Sequence, residues 1–306
     1  MRTLLIAGLG DIAMRAMPYL TTHWRVLALC HHAAAARRAR LGGAVPVSAN
    51  LDDANSLRRL AGLADDVLIT APPPNHGVTD PRTRKLLYAL TKGLRIPQRV
   101  SYISTSGVYG NADGNWLDET APTNPGSDRA RRRLDAEHAL RAFAIATGAQ
   151  VRILRAPGIY AAERLPIGRL LSATPLIRPE EDSLSNHIHA DDLARLCIAT
   201  LHCHSGGLRI YNACDDEPLP VGQWYARLAE KLHVAVPPRY PREEVQRRVS
   251  PMLWSFLAES RRLCNNRLKR ELGVELAYPS VQTLLDQLPD SDEFRAALLA
   301  SGGQIR

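Results

Sequence analysis

The residues near the start of the chain whose spacing suggests chemistry are Gly8, Gly10 and Ala13. They follow an apolar run of strand length, and an apolar helical pattern begins at Ile12. A glycine at the strand end permits a sharp turn, the second lets a pyrophosphate approach the backbone, and the next helix directs unpaired N–H groups at the phosphates. We therefore predict a dinucleotide site that includes Gly8, Gly10, Asp11 and Ile12. A plain tight turn is the alternative.

The end of the second predicted strand, Arg25 to Cys30, determines which cofactor ribose the site accepts. An Asp or Glu there would hydrogen-bond both ribose hydroxyls and repel a 2′-phosphate. This chain instead has His31 and His32, followed by a helix with three basic side chains that could stand near a phosphate, Arg37, Arg38 and Arg40. We predict NADP as the preferred cofactor, NAD as the alternative, and His31 as part of the site. The arginines could also be only the solvated face of a helix.

The third and fourth predicted strands bring further residues to the same edge of the sheet. The third strand, Ala44 to Ser48, leads to Asn50 and Leu51, where a polar side chain can meet the adenine. The fourth, Asp66 to Ala71, is rich in Val, Leu and Ile, as in a strand buried on both faces, and it ends in prolines. Prolines stop both helix and sheet, and ligands bind at the carboxyl edge of such sheets. The predicted cofactor contacts therefore also include Asn50, Leu51, Ala71, Pro72 and Pro73.

Two later strands end in segments that could reach the same edge. The fifth strand, Arg99 to Ser104, runs into the hydroxyl-rich segment 104–110, and the sixth, Gln150 to Leu154, runs into segment 155–160. A polar loop and a long helix, from about Ser127 to Ala146, lie between them. Because the carboxyl ends of parallel strands meet at one edge, both segments are predicted to lie near the glycine loop.

The alternation of strands and helices predicts an α/β fold with a doubly wound parallel sheet, the NAD(P)-binding Rossmann fold. Two later strands, Asn186 to Ala190 and Leu208 to Tyr211, are expected to return to this sheet. From Cys214 onward the pattern is mostly helical with proline breaks, which predicts a smaller, mainly helical C-terminal substrate lobe. The predicted core comprises residues 1–157 with 185–212, and the predicted lobe comprises residues 158–184 with 213–306.

Charge and composition limit the possible partners. A formal net charge of +8 could indicate nucleic-acid binding, but only four basic residues are lysines, the arginines are dispersed and aromatic residues make up 5% of the chain. We expect no nucleic-acid partner and attribute the charge to a solvated surface or to an anionic ligand. Apolar runs are short and interrupted, so no membrane segment is expected. Five cysteines without CxxC spacing are expected to be reduced thiols in a cytoplasmic protein.

Together these motifs resemble the extended short-chain dehydrogenase/reductase superfamily, the group of NAD-dependent epimerases and dehydratases. Besides the glycine loop, the segments that match in the family's order are 71–73, 104–110, 155–160, 187–192 and 266–273. The resemblance implies that Thr105 is the catalytic hydroxyl and that Pro157 lies beside the nicotinamide. It also implies a homodimer formed through the helices at 81–92 and 127–146. The His and Asp residues of 187–192 would suit a metal, but the resemblance and a helix-capping role argue against one, so no metal is predicted.

The chain departs from the family at its catalytic pair. The family's Tyr and Lys, four residues apart on the helix after the polar loop, correspond to Arg129 and Arg133. These two side chains still share a helix face. A guanidinium keeps its proton and has no acceptor atom, so neither residue can shuttle a proton, although both suit anion binding.

Two hypotheses follow from this departure. In the first, which we favour, the protein is an NAD(P)-dependent oxidoreductase or epimerase acting on an anionic substrate of the nucleotide-sugar kind. Tyr109, Tyr160 or a bound water then supplies the proton, while Arg129 or Arg133 clamps the anion. In the second, the protein is a non-catalytic NAD(P)-binding sensor or interaction protein. An enzyme requires an acid with a perturbed pKa near the nicotinamide, whereas a sensor does not.

Overall fold

The computed structural model describes residues 1–300. The strands are β1 Thr3–Ala7, β2 Arg25–Cys30, β3 Val45–Ser48, β4 Asp66–Ile69, β5 Arg99–Thr105, β6 Trp116–Leu117, β7 Gln150–Ala156, β8 Gly158–Tyr160, β9 Leu176–Ile177, β10 Leu184–Ser185, β11 His187–His189, β12 Leu208–Asn212, β13 Leu219–Pro220, β14 Arg239–Tyr240 and β15 Arg262–Leu263. The α-helices are α1 Asp11–His23, α2 Ala33–Leu41, α3 Ala54–Leu57, α4 Pro81–Leu90, α5 Asp128–Thr147, α6 Ile167–Leu171, α7 Ala190–His202, α8 Val221–Leu232, α9 Arg242–Arg248, α10 Pro251–Leu257, α11 Asn266–Leu272, α12 Val281–Gln287 and α13 Asp292–Ala300.

Seven strands form one parallel sheet in the order β3-β2-β1-β4-β5-β7-β12. The order reverses between β1 and β4, which pair in parallel with Ala7 opposite Ile69. Connections leave in opposite directions at such a reversal, so a crevice opens at the carboxyl ends of the two strands. The predicted doubly wound α/β fold, with a mainly helical C-terminal region, is therefore confirmed.

The two strands that were expected to return to the main sheet differ in their pairing. β12 joins the main sheet beside β7, as predicted. β11 forms at the predicted place but pairs with β8 outside the main sheet. The reason lies at Pro157, between β7 and β8, because proline has no N–H to continue the ladder and β8 leaves the sheet there. The division into core and lobe stays a prediction, and residues 301–306 of the predicted lobe lie outside the described part of the chain.

Apolar layers cover both faces of the sheet because successive residues of β1 point in opposite directions. Ile6 packs with α1 and α7, including Leu193, whereas Leu5 packs with α4 and α5, including Leu140. All four side chains are fully buried. A third apolar cluster is centred on α8, where Leu228 is buried. These layers hold the strand ends, and therefore the loops that follow them, at fixed positions.

Asp135 on α5 ties that helix to α4. Its carboxylate accepts the Asp80 N–H at 2.8 Å and the Arg84 Nε–H at 2.9 Å. The hydrogen bond with Arg84 lowers the pKa of Asp135, against the opposing effect of burial. A carboxyl group whose pKa is lowered by folding stabilises the fold above its unfolded pKa, and this contribution disappears as the pH falls through the folded pKa.

Replacement of Asp135 by asparagine should therefore destabilise the protein in a pH-dependent way. Because Arg84 is half exposed, the expected loss at pH 7 is only about 0.5 to 1 kcal/mol. Urea unfolding at several pH values measures it. The difference between the variant and the wild type should disappear well below the ordinary carboxyl pKa of about 4. An equal loss at every pH would show that the charge of Asp135 contributes nothing.

Within residues 1–300, no helix is long and apolar enough to cross a lipid bilayer.

Candidate functional site

The glycine loop after β1 contains two glycines, and their surroundings differ. Gly8 has a φ of +107°, and a methyl group there would lie 2.4 Å from the backbone nitrogen of Ala71. Gly10 precedes α1 without a side-chain cap, and a methyl group there would meet no protein atom within 4 Å. Gly8 is therefore required by the close approach of β1 and β4, whereas the space in front of Gly10 is open at the N-terminus of α1.

A cavity of about 360 Å³ opens beside this loop, and we call it the glycine-loop cavity. It includes seven of the predicted cofactor contacts: Gly8, Gly10, His31, Asn50, Leu51, Ala71 and Pro72. Three others, Asp11, Ile12 and Pro73, do not line it. Asp11 is exposed and pairs with Arg15 at 2.9 Å, whereas Ile12 and Pro73 are buried. The structure thus brings most of the predicted set together at the reversal point of the sheet.

Two arginines give the glycine-loop cavity its charge. Arg82, which the sequence did not reveal, donates two hydrogen bonds of 2.7 Å to Asp52, and this interaction lowers the pKa of Asp52. Arg38 also lines the cavity and makes no side-chain hydrogen bond or ion pair with another residue of the described part of the chain. The end of β2 has no acidic residue. The unpaired charge facing this cavity is therefore the guanidinium of Arg38.

A second cavity, of about 490 Å³, lies at the neighbouring strand ends and is called here the arginine cavity. Thr105, at the end of β5, and Pro157, after β7, both line it. The Thr105 hydroxyl oxygen accepts the Gly107 N–H at 3.2 Å, so its own hydrogen remains available for donation. The structure therefore brings the predicted catalytic hydroxyl and the predicted nicotinamide contact into one cavity.

The charge of this cavity is positive. Four arginines line it, Arg129, Arg164, Arg169 and Arg261, and Glu259 is its only acidic lining residue in the described part of the chain. Glu259 pairs with Arg261, and Arg164 pairs with Asp11 at 3.3 Å. Arg129 has no carboxylate partner within residues 1–300, and its guanidinium stacks on Phe256 at 3.9 Å. Burial lowers the pKa of Arg129, while Glu259 opposes this change. A half-buried, unpaired guanidinium can donate charge-assisted hydrogen bonds to an anion.

Arg133 does not line either cavity. Its Nη1 donates to the Ile103 carbonyl at 2.8 Å and to the Tyr102 hydroxyl at 3.0 Å. The Ala71 carbonyl lies 3.4 Å from the same nitrogen. Arg133 thus connects the ends of β4 and β5 by hydrogen bonds. This is a structural role in addition to its predicted role in binding an anion.

The two candidate tyrosines occupy different environments. Tyr109 is 2% exposed, and its hydroxyl donates to Asn212 Oδ1 at 2.7 Å. Its burial raises its pKa to about 12. The structure does not bring Tyr109 to the arginine cavity, because the turn after Thr105 directs it into the interior. Tyr160 does line the cavity, but burial, together with Asp215 and Asp192, raises its pKa.

Several residues that line the arginine cavity carry no sequence signal. Besides three of its arginines, Trp224 and Tyr225 on α8 and Phe256 on α10 line it. They come from separate segments of the C-terminal half, and no spacing pattern connects them. In residues 1–300, no group of three or more His, Cys, Asp or Glu side chains is placed to hold a metal ion.

Solved structures share this fold over nearly the whole chain. A conserved protein of unknown function from Silicibacter pomeroyi is 28% identical, with 99% of this chain and 98% of that chain covered and a TM-score of 0.73. UDP-glucuronic acid 4-epimerase from Bacillus cereus, in complex with UDP-glucuronic acid and NAD, is 18% identical, with 97% and 99% covered and a TM-score of 0.72. MoeE5, in complex with UDP-glucose and NAD, is 19% identical, with 98% and 100% covered and a TM-score of 0.73.

Sequence comparison identifies the family. A search of curated proteins gave no significant match. The sequence profile of the NAD dependent epimerase/dehydratase family matches residues 19–214, which is more than half of the chain. The profile match, the seven-stranded sheet and the cavities at its carboxyl edge agree, and this protein belongs to the NAD dependent epimerase/dehydratase family.

Proposed function

We propose that this protein binds NAD(P) in the glycine-loop cavity and acts as an oxidoreductase or epimerase on an anionic substrate in the arginine cavity. The open space in front of Gly10, at the uncapped N-terminus of α1, is the observation that carries the proposal. It fits a pyrophosphate, which would accept hydrogen bonds from the first N–H groups of the helix. The two solved relatives with bound NAD, although distant in sequence, support the same cofactor.

The bound cofactor would supply hydride transfer, and the residues of this chain would arrange the substrate. Thr105 can donate a hydrogen bond to the reacting oxygen, and the neighbouring Pro157 lies where the cofactor ring would approach. Arg129 would hold the anionic end of the substrate by charge-assisted hydrogen bonds. The four arginines of the cavity favour an acidic ligand, and the nucleotide sugars in the two solved relatives support that substrate class.

The preference for NADP depends on Arg38. The end of β2 has no acidic residue, which would repel a 2′-phosphate. Arg38 is the unpaired cation of the glycine-loop cavity. Replacement of Arg38 by alanine should therefore weaken NADPH binding by about tenfold, the usual cost of one charge-assisted contact, and leave NADH binding unchanged. Calorimetry measures both affinities. If the substitution weakened the binding of both cofactors equally, or changed the binding of neither, this assignment would be wrong.

A non-catalytic role is the second candidate, and a specific observation favours it. The positions of the family's Tyr and Lys hold Arg129, stacked on Phe256, and Arg133, bound to the strand ends. Neither guanidinium can exchange a proton near neutral pH. A protein with this pair could bind NAD(P) and an anion as a sensor without converting either.

Conversion of UDP-glucuronic acid in the presence of NADP+ or NAD+ tests the proposal, with cofactor reduction followed by absorbance and sugar products by NMR. The matched variant is Arg129→Gln, which removes the unpaired cation and keeps a polar side chain. We expect the wild type to convert UDP-glucuronic acid, and we expect the variant to bind this probe about tenfold more weakly than the wild type in calorimetry. Binding without conversion would favour the sensor. Failure of both UDP-glucuronic acid and inorganic pyrophosphate to bind would overturn the anionic substrate.

We also propose a cytoplasmic homodimer formed through α4 and α5. Apolar side chains on these helices support the interface, because Tyr88 is 66% exposed and Ile145 is 81% exposed. The five cysteines are free, which suits a reducing compartment. Light scattering should give twice the mass of the chain, and Ile145→Glu should give the mass of one chain. A wild-type monomer at high protein concentration would contradict the dimer.

A further inference from the structure

The arginine cavity contains an ionisable side chain, His187, to which neither the resemblance nor the proposed function assigns a role. His187 lies on β11 and lines the cavity together with Thr105 and Pro157. The residue is 8% exposed, and its Nδ1 is enclosed without a hydrogen-bond partner in the described part of the chain. Because enclosed polar atoms are normally paired, the ring is an unsatisfied group at the wall of a ligand-sized cavity. Nδ1 is enclosed, so Nε2, which makes no hydrogen bond within residues 1–300 either, is the ring nitrogen that can meet a ligand.

The strand register places this ring next to the predicted nicotinamide contact. β8 and β11 pair in parallel with Gly158 opposite His187, and Pro157 immediately precedes Gly158. Paired strands lie about 4.8 Å apart. A methyl group at Gly158 would contact His187 Cδ2 at 3.4 Å, so the imidazole lies over the glycine. His187 is therefore about one strand spacing from the backbone that would pass beside the cofactor ring.

The surroundings of His187 fix its orientation and its charge. Trp224 and Tyr160 pack against it, with ring centroids 5.9 and 6.3 Å away. The Asp215 N–H donates to the His187 carbonyl at 2.7 Å. Burial lowers the pKa of His187 to about 4, although the charge of Glu217 acts in the opposite direction. The imidazole is therefore neutral at pH 7, and in the tautomer with its hydrogen on Nδ1 it has a lone pair on Nε2 that can accept a proton.

We propose that Nε2 of His187 hydrogen-bonds the reacting oxygen of the substrate and exchanges its proton, replacing the family's absent tyrosine. The inference rests on the proposed function, since it requires NAD(P) in the neighbouring cavity. In alcohol oxidation, Nε2 would take the hydroxyl proton, and bound NAD(P)+ would supply the acceptor for the hydride lost from the same carbon, so that the C–O bond becomes a carbonyl. The alcohol would be oxidised and the nicotinamide reduced. The imidazolium then releases its proton to water, as its low pKa favours.

Acylation by diethyl pyrocarbonate tests this inference without requiring turnover. The reagent modifies neutral imidazoles that it can reach, and mass spectrometry with fragment ions locates the modified histidine. We expect His187 of the free wild-type protein to be acylated. Saturating NADP+ together with UDP-glucuronic acid should slow its acylation by about tenfold or more, because a bound ligand covers Nε2 in nearly all molecules.

Two other histidines provide matched controls in the same digest. His204 lines a cavity at the opposite edge of the sheet, so its acylation should not change with either ligand. His189, two residues along β11, uses Nδ1 to accept the Asp191 N–H at 3.2 Å and stacks on Tyr278. We expect slow acylation of His189 in every sample. Slower acylation of all three histidines would indicate general stabilisation rather than coverage of His187.

Calorimetry of the same samples separates the possible failures. If NADP+ and UDP-glucuronic acid both bind, but His187 is unreactive in the free protein or reacts equally fast in the presence of both ligands, this inference alone is overturned. If neither NADP+ nor NAD+ binds, the proposed function is overturned and the role of His187 falls with it. Selective protection of His187 by the bound ligands supports the inference.

Discussion

Replacement of Gly8 by alanine is expected to destabilise the protein by about 3 kcal/mol or more, or to prevent folding. The added methyl carbon would lie 2.4 Å from the Ala71 nitrogen, and a φ of +107° is strained for any residue with a Cβ. The methyl carbon would also lie 2.7 Å from the Ala71 Cα, and this backbone cannot move without separating β1 from β4. Urea unfolding, or the yield of soluble protein, measures the effect.

Gly10→Ala is the matched control for this prediction. Its methyl carbon would meet no protein atom within 4 Å, and its φ of −88° is ordinary. The free energy of unfolding should therefore change by less than about 1 kcal/mol. If Gly8→Ala were as stable as Gly10→Ala, the close approach of the two strands at the reversal point would be wrong.

Replacement of Glu137 by alanine has the second largest expected effect. Glu137 on α5 and Arg155 at the end of β7 form a buried ion pair of 2.7 Å, with each side chain 5% exposed. The Ser104 hydroxyl also donates to Glu137, next to Thr105. Loss of the carboxylate leaves the charge of Arg155 buried and uncompensated, which typically costs about 3 to 5 kcal/mol. Thermal and urea unfolding measure it.

The double variant Glu137→Met/Arg155→Met is the control for the ion pair. Removal of both charges leaves no unpaired ion, and apolar replacements of buried pairs are often close to neutral. The double variant should therefore be more stable than Glu137→Ala. If both variants lost the same free energy of unfolding, lost packing rather than an unpaired charge would explain the effect.

The sequence predicted the parts of this protein that depend on local pattern. The glycine loop, the bounds of the main-sheet strands to within two residues and the helix that became α5 all follow from short-range periodicity and from residues such as Gly8, whose backbone conformation few other residues adopt. Seven predicted cofactor contacts line one cavity because each follows a parallel strand, and such strand ends meet at one edge.

The sequence could not predict what depends on orientation or on distant segments. Tyr109 lies four residues after Thr105, and the intervening turn directs its ring into the interior, towards Asn212. Arg164, Arg169 and Arg261 meet only because distant segments fold over the same strand ends. The position of His187 depends on the pairing of β11 with β8, which the alternation of strands and helices did not reveal.

Calorimetric titration of the wild type and of Gly10→Ala with NADPH and NADH shows whether a dinucleotide binds in front of Gly10. We expect saturable binding to the wild type, with NADPH tighter than NADH. Gly10→Ala, folded as stably as the wild type, should bind either cofactor at least about tenfold more weakly, because the methyl group would occupy the space of the pyrophosphate. If neither cofactor bound the wild type, or if the variant bound both with unchanged affinity, no pyrophosphate would lie in front of Gly10.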